Sequence, residues 1–306
     1  MVQVQGNFLA FFGHLNIDVT MRVRQLPRSG SADIINFGEN FGGTAGNFAI
    51  IASRLGVPFS LYSAVSLKTH DKYLEYLSKI GVDTSHIVID SEDYGPVCYA
   101  VTSGKDQIYY IYQGPMGKPF SSGITSGGMD YEYIHLGTGP PDDFLEVGRK
   151  NASSKIVFDP GQELNYRYSP DQLGEFLKIS FITMFNENEE QKASQLLGIN
   201  ASDLPDLCKN LIITRGSEGV DLYMDGDKRS FRSLKVENPY DTLGAGDSFR
   251  AGLYLGLNKK MGLEEGIRLG IVVAAEAIKN PLTSFKLGYP EIMAIYRAER
   301  EKLVIP

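Results

Sequence analysis

The chain has 306 residues, 42% of them hydrophobic, enough for one large α/β domain whose core needs no disulfide or metal staple. Lys and Arg number 30 against 37 Asp and Glu, a net charge of −7, so the basic stripe of a nucleic-acid binder is absent. No run reaches the roughly 18 apolar residues that span a bilayer.

The N-terminus, MVQVQGNFLAFFG, has no basic start and only a short apolar run, unlike a signal peptide. The expectation is a cytoplasmic protein, with Cys98 and Cys208 as reduced thiols. The first strand is predicted over Phe8–Phe12, ended by Gly13. In GTAGNFAIIASRL (43–55), Phe48, Ile51, Ala52 and Leu55 recur at helical spacing, and Gly56 stops the helix. FSLYSAV (59–65) reads as a strand and THDKYLEYLSKI (69–80) as a helix. The apolar runs YIHLGT (133–138), KIVFDP (155–160), FITMFN (181–186) and LIITRG (211–216) alternate with the helical patterns DDFLEVGRKNA, PDQLGEFLKI and NEEQKASQLLG. Repeated strand–helix units predict a three-layer αβα fold, a mostly parallel sheet covered on both faces. Helices are expected at about 247–258, 263–279 and 290–302. Two stretches of β-type composition, 17–37 and 96–112, have no helix between their strands and read as a small sheet projecting from the main one, the second a hairpin turning at Ser103–Asp106. The chain 1–306 reads as a single domain.

The strongest motif is DTLGAGDSFRAG (241–252). Gly244, Ala245 and Gly246 make a tight loop poor in side chains, and SFRAGLYLGL continues as a helix, so backbone N–H groups at a helix N-terminus form an anion site. Asp247 falls in or beside the first turn. In isolation it reads as a capping carboxylate; facing bound phosphates it reads as a general base for phosphoryl transfer. There is no Walker A string and no dinucleotide fingerprint after the first strand. The four histidines, at 14, 70, 86 and 135, show no ligand spacing and are assigned structural roles.

DTLGAGDSFRAG closely resembles the C-terminal signature of the PfkB or ribokinase-like carbohydrate kinases. ENFGGTAGNFAIIASRLG (39–56) resembles their N-terminal Gly-Gly signature, about 200 residues earlier. The resemblance covers essentially the whole chain and implies an ATP-dependent kinase acting on a small-molecule hydroxyl. It makes Asp247 the base and Gly244, Ala245 and Gly246 the anion hole. Asp18, Gly42, Gly43 and Asn47 become holders of the acceptor's hydroxyls. Asn186 and Glu189, in FNENEE, match the N-x-x-E element that organises Mg²⁺ and the phosphates, largely through water. Thr214, Gly216 and Gly219, in TRGSEGV, are placed near the nucleotide, and Ala274, Ala275, Ile278, Asn280 and Thr283 in the adenine region. Asp241 and Thr242 fall in the loop that holds a monovalent cation in many members, with partners near Thr283 and Ser284. The usual pattern is not evident there, so K⁺ is left as an optional cofactor.

The segments 17–37 and 96–112 match the family's lid. Phe37, Tyr99, Ile108, Tyr109, Tyr110, Ile111 and Tyr112 make it aromatic and apolar, suited to a nucleobase or to contact between two copies in a homodimer, and Gln113 adds a hydrogen-bonding group for the substrate. FDPGQEL (158–164) departs from the D-x-N-x-R string of sugar-specific members and looks closer to archaeal nucleoside kinases. The expected acceptor is a nucleoside 5′-hydroxyl. The alternatives are a sugar kinase for ribose, fructose or a keto-deoxy sugar acid, and a non-catalytic sensor of nucleotide or sugar.

Overall fold

The structure, a computed structural model, describes residues 8–91, 94–104, 106–118, 129–240 and 242–305. Strand β1 (Leu9–Phe12) is followed by the hairpin β2 (Asn16–Val23) and β3 (Ile34–Gly42), then α1 (Thr44–Leu55), β4 (Ser60–Ser66), α2 (Leu67–Lys79) and β5 (Ile87–Asp90). A second hairpin, β6 (Val97–Ser103) and β7 (Asp106–Tyr112), precedes β8 (Tyr133–Leu136), α3 (Pro141–Lys150), β9 (Lys155–Phe158) and α4 (Pro170–Ile179). Next come β10 (Ile182–Asn186), α5 (Glu187–Leu197), β11 (Asn210–Thr214) and the hairpin β12 (Val220–Met224) and β13 (Asp227–Phe231). The helices α6 (Ala245–Asn258), α7 (Leu263–Ala277) and α8 (Tyr289–Glu299) follow.

Nine strands form the main sheet in the order β13-β12-β11-β10-β9-β8-β1-β4-β5. From β11 to β5 every pairing is parallel, and only the β12–β13 hairpin adds antiparallel edges. Side chains alternate across a strand, and β1 shows it directly. Leu9 and Phe11 enter a core with α1, α6 and α7, while Ala10 and Phe12 enter a second core with α3, α4 and α5. All four are buried, as a strand covered on both faces requires. The chain runs outward from β1 to β4 and β5 on one side and from β8 to β11 on the other. This reversal places a crevice at the carboxyl ends of β1 and β8, where open α/β sheets bind ligands.

The two β-rich stretches pair as a separate four-stranded sheet, β3-β2-β6-β7, with β2 and β6 parallel and both hairpins antiparallel. β3 runs on to Gly42, beyond the 17–37 segment expected from sequence. Glu39–Gly42 therefore enter the site as strand. Strands β5 and β13 at the two sheet edges go beyond the sequence expectation: IVID is only four residues long with no helix after it among the described residues, and DKRSF is mostly charged or polar. Residue 105 of the expected Ser103–Asp106 turn lies outside the described residues. Cys98 and Cys208 are both free, and no helix of the described residues is long and apolar enough to cross a membrane.

Helices α6 and α7 approach closely because glycines meet at their crossing. A Cβ on Gly252 would lie 2.6 Å from the Leu269 carbonyl oxygen and 2.8 Å from the Gly270 Cα, and one on Gly256 would lie 2.6 Å from the Gly266 Cα. Both helices space these glycines four apart, along one ridge. The contact matters for function because α6 carries Asp247 and α7 carries Ala274 and Ala275. We expect Gly256→Val to destabilise the protein by about 1–3 kcal/mol in urea unfolding, as overpacking does. Gly174→Ala, where an added Cβ meets nothing within 4 Å in the middle of α4, is expected to stabilise by about 0.4–1 kcal/mol.

Candidate active site

Two helix N-termini converge on the crevice. α1 starts after Gly43, whose φ of +83° and close approach to the His14 carbonyl leave no room for a side chain. α6 starts after Gly244, in the left-handed region at φ +77°. Asn47 lies in the first turn of α1 and Asp247 in that of α6. The Asn47 Nδ2 donates to Asp247 Oδ2 at 2.8 Å across 200 residues of sequence. A Cβ on Gly244 would collide with Leu282 and stand 3.3 Å from the Asn47 amide. The α6 turn is pinned by the Ala245 N–H donating to the Thr242 carbonyl and by the backbone N–H and hydroxyl of Ser248, both donating to the Gly244 carbonyl. The first-turn N–H groups of α6 have no helical acceptor, and the positive end of the helix faces the same space.

Asp247 is only 6% exposed. Burial pushes its carboxyl up to about 6, and Arg250 and the Asn47 amide pull against that rise. Arg250 Nη1 donates to Asp247 Oδ1 at 2.8 Å. The rest of its guanidinium grips Asp159, with Nη2 donating to Oδ1 at 2.6 Å and Nε to Oδ2. Behind Asp159 stand His135, whose Nε2 is 3.6 Å from Asp159 Oδ2, and the Tyr254 hydroxyl, 3.0 Å from His135 Nδ1. Burial lowers His135 to about 3, so it is neutral and leaves Arg250 as the cation between the two carboxylates. Sequence reasoning passed over both Arg250 and Asp159. The signal for Arg250 was present, since Asp247 and Arg250 sit at i,i+3 on a predicted helix, a spacing that pairs charges.

On the α1 side of Asp247, Asp18 of β2 lies against Gly42, and a Cβ at Gly42 would overlap its carboxylate. The Gly42 carbonyl accepts from the Tyr73 hydroxyl at 2.8 Å. Gly42 is thus required by the packing of Asp18 and Gly43 by backbone conformation. Burial pushes Asp18 up to about 7, with the charge of Asp247 adding to the rise. Gln113 is already engaged: its side-chain oxygen meets His14 Nε2 and its amide donates to the Tyr166 hydroxyl at 3.0 Å. His14 also bonds Thr138 at 2.8 Å, closing the ends of β1 and β8 together. Glu163 sits behind, accepting from Arg167 at 2.9 Å and from the Gly139 N–H at 2.6 Å. His14 and His135 therefore serve buried polar networks at the site itself.

On the other side of the α6 turn lies a cavity of about 470 Å³. Its lining includes Thr214, Gly216, Gly219, Thr242, Ala245, Gly246, Ala274, Ala275 and Ile278. Its size and largely apolar wall suit a nucleoside-sized group. Arg215 braces its rim, donating to Asp221 at 2.7 Å and to Glu190 at 3.1 Å. Asn280 lies outside this lining, in a neighbouring depression with Ser284. Asp241 lies outside the described residues. Asn186 and Glu189 form a reciprocal cap: Asn186 Oδ1 accepts from the Glu189 N–H at 2.9 Å, and the Glu189 carboxylate accepts from the Asn186 N–H at 2.8 Å and its amide at 2.7 Å. Burial, then the charge of Asp159, pushes Glu189 up to about 7.

The model of the pfkB family of carbohydrate kinases matches residues 7–288. The chain belongs to this family. It is a kinase, a phosphotransferase acting on a hydroxyl group, with ATP as co-substrate. This kinase is 40% identical to a nucleoside kinase of Thermoplasma acidophilum over 93% of its own length and 94% of that protein's. It is 29% identical to a nucleoside kinase of Methanocaldococcus jannaschii, covering 87% of each. A crystal structure of a Methanocaldococcus jannaschii nucleoside kinase, described as an archaeal member of the ribokinase family, superposes with a TM-score of 0.83 at 25% identity, covering 96% of this chain and 99% of the other.

The raised carboxyls of the kinase have a consequence for stability. Asp18 and Asp247 bind protons in the folded state at pH values where the unfolded chain has released them. Their stabilising contribution is full below about pH 4 and is lost as pH rises through about 6–7. Asp18→Asn is therefore expected to stabilise the ligand-free protein by about 1–3 kcal/mol at pH 7.5, with the gain smaller at pH 5 and gone only below about pH 4. Paired thermal melts at the two pH values check this; an equal gain at both contradicts the burial argument.

Proposed function

We infer that this kinase is an ATP-dependent nucleoside kinase that phosphorylates the ribose 5′-hydroxyl. The geometry favours a transfer site at Asp247. The carboxylate lies between the acceptor side, marked by Asp18, Gly42, Gly43 and Asn47, and the cavity lined by Thr214, Gly216 and Ala274, with the first turn of α6 between them. The choice of a nucleoside rests on the likeness to archaeal nucleoside kinases over nearly the whole chain.

In this reading the acceptor oxygen attacks the γ-phosphorus, the bond to the ADP oxygen breaks, and the hydroxyl proton passes to Asp247. A carboxyl held near 6 is mostly ionised at neutral pH yet basic enough to take that proton. The N–H groups at Gly244–Gly246 and the start of α6 steady the charge on the moving phosphoryl group. Asp18, the Gly42–Gly43 backbone and the Asn47 amide oxygen hold ribose hydroxyls. Gln113, fixed by His14 and Tyr166, borders the base. Thr214, Gly216 and Gly219 line the phosphate and ribose end of the ATP site, and Asn280 flanks its adenine end.

Asn186 and Glu189 would help hold Mg²⁺, which would supply neutralising charge on the ATP phosphates. Asn186 and Glu189, bonded to each other, suit an ion held through its own water shell. The four-stranded sheet acts as the lid that excludes competing water. Its outer residues, with Phe37 61% and Tyr110 60% exposed, form the contact of a homodimer.

Asp247→Asn is expected to keep the fold and lower kcat by about 10²–10⁴. The check is ATP consumption measured with adenosine, inosine, guanosine, cytidine, uridine, ribose, fructose and a keto-deoxy sugar acid. Turnover of one or more nucleosides is expected. Turnover of the free sugars or sugar acid alone overturns the acceptor, and a wild-type rate in Asp247→Asn overturns the base.

A further inference from the structure

Arg250 is the one arginine that bonds the Asp247 carboxylate among the described residues, and the reaction described above gives it no task. Its placement is specific. It leaves α6 one turn after Asp247 and folds back under the start of its own helix. A Cβ on Gly246 would stand 3.1 Å from its Nη1, so the glycine of the anion loop also makes room for the guanidinium. Three of its nitrogens are committed: Nη1 to Asp247, Nη2 and Nε to Asp159. Asp159 is 2% exposed and sits at the end of β9, in the rigid centre of the sheet. A planar guanidinium held at two points by a fixed carboxylate has no freedom to rotate, so Asp159 determines where Nη1 points.

We propose that Arg250 is a positioning residue for the base: clamped by Asp159, it holds Oδ1 of Asp247 so that Oδ2 is presented, charged, to the acceptor hydroxyl. The proposal rests on Asp247 being the base. Asn47 fixes the same carboxylate from the other side, at Oδ2, and together the two donors set its rotamer. Arg250 also counters the burial that raises the Asp247 carboxyl. The other ionisable groups facing this pair are Asp18 of β2, Tyr73 of α2, Asp159 after β9, Glu189 of α5 and Tyr254 of α6. His135 of β8 is neutral. The facing groups are acidic, so the opposing positive charge comes from Arg250.

A merely structural ion pair and a positioning residue differ in their pH signature. The test uses Arg250→Gln, Arg250→Lys, Asp247→Asn and wild type, with Mg-ATP and the fastest acceptor of the screen above, over pH 5–9. For Arg250→Gln the acid limb of kcat/KM is expected to rise by about 1–3 pH units, as loss of an adjacent opposite charge does. Activity at pH 7 then falls on the order of tenfold or more, and recovers towards pH 9, with the KM for ATP within a factor of about three. Arg250→Lys keeps the charge but cannot span both carboxylates; it is expected to keep the wild-type limb and lose on the order of tenfold in kcat. A uniform loss across pH in Arg250→Gln, or an unmoved profile, overturns the proposal. Should Arg250→Gln not fold, a wild-type kcat in Arg250→Lys overturns it instead. A wild-type rate in Asp247→Asn separates failure of the base assignment from failure of this one.

Discussion

A negative charge sits at Asp247 in a place water scarcely reaches, and the layout of the cleft follows from how that charge is tolerated. A buried carboxylate without partners simply takes up a proton. Here it has two donors, Asn47 and Arg250, and the positive end of its own helix. Burial still dominates, so the carboxyl rises to about 6 and no further. That balance suits a group that must be ionised at rest and protonated at the end of a transfer. It also couples distant parts of the chain, because the donors belong to α1 and α6 and the fixed point, Asp159, to the sheet.

The sheet makes this coupling rigid. The ends of β1, β8, β9, β10 and β11 line one edge, placing His14, Thr138, Asp159, Asn186 and Thr214 in a row. Parallel strands buried on both faces have little freedom to shift register. The glycine contacts between α6 and α7 then set the distance between the Asp247 turn and the Ala274–Ile278 wall. A side chain at either crossing point would move the two walls of that cavity relative to each other.

The strand–helix alternation, the two glycine signatures and the cluster of candidate residues around Asp247 were legible because each leaves a local trace. Strands buried on both faces are apolar runs; helices repeat every three or four residues; loops at helix starts need glycine. Arg250, Asp159, Glu163 and His14 left weaker traces. Three of them are charged residues in ordinary company, and His14 sits in a polar stretch after a strand. Their meaning depends on partners 91 and 99 residues away, such as Asp159 for Arg250 and Gln113 for His14. Gln113 shows the opposite effect: its amide looks free in sequence but is held at both ends in the fold.

By itself the sequence determined the strand–helix order of the three-layer αβα fold, because hydrophobic period and glycine placement are constraints each segment must satisfy alone, and its two signatures, by their resemblance to the pfkB carbohydrate kinases, pointed to kinase chemistry and to Asp247 as the candidate base. Only the tertiary structure decided what stands on either side of Asp247, why Gly42 and Gly246 must lack side chains, and how Asp159 reaches Asp247 through Arg250. Those facts follow from which segments share a low-dielectric pocket, where distance and desolvation set the charge of each group, and no single segment contains that information.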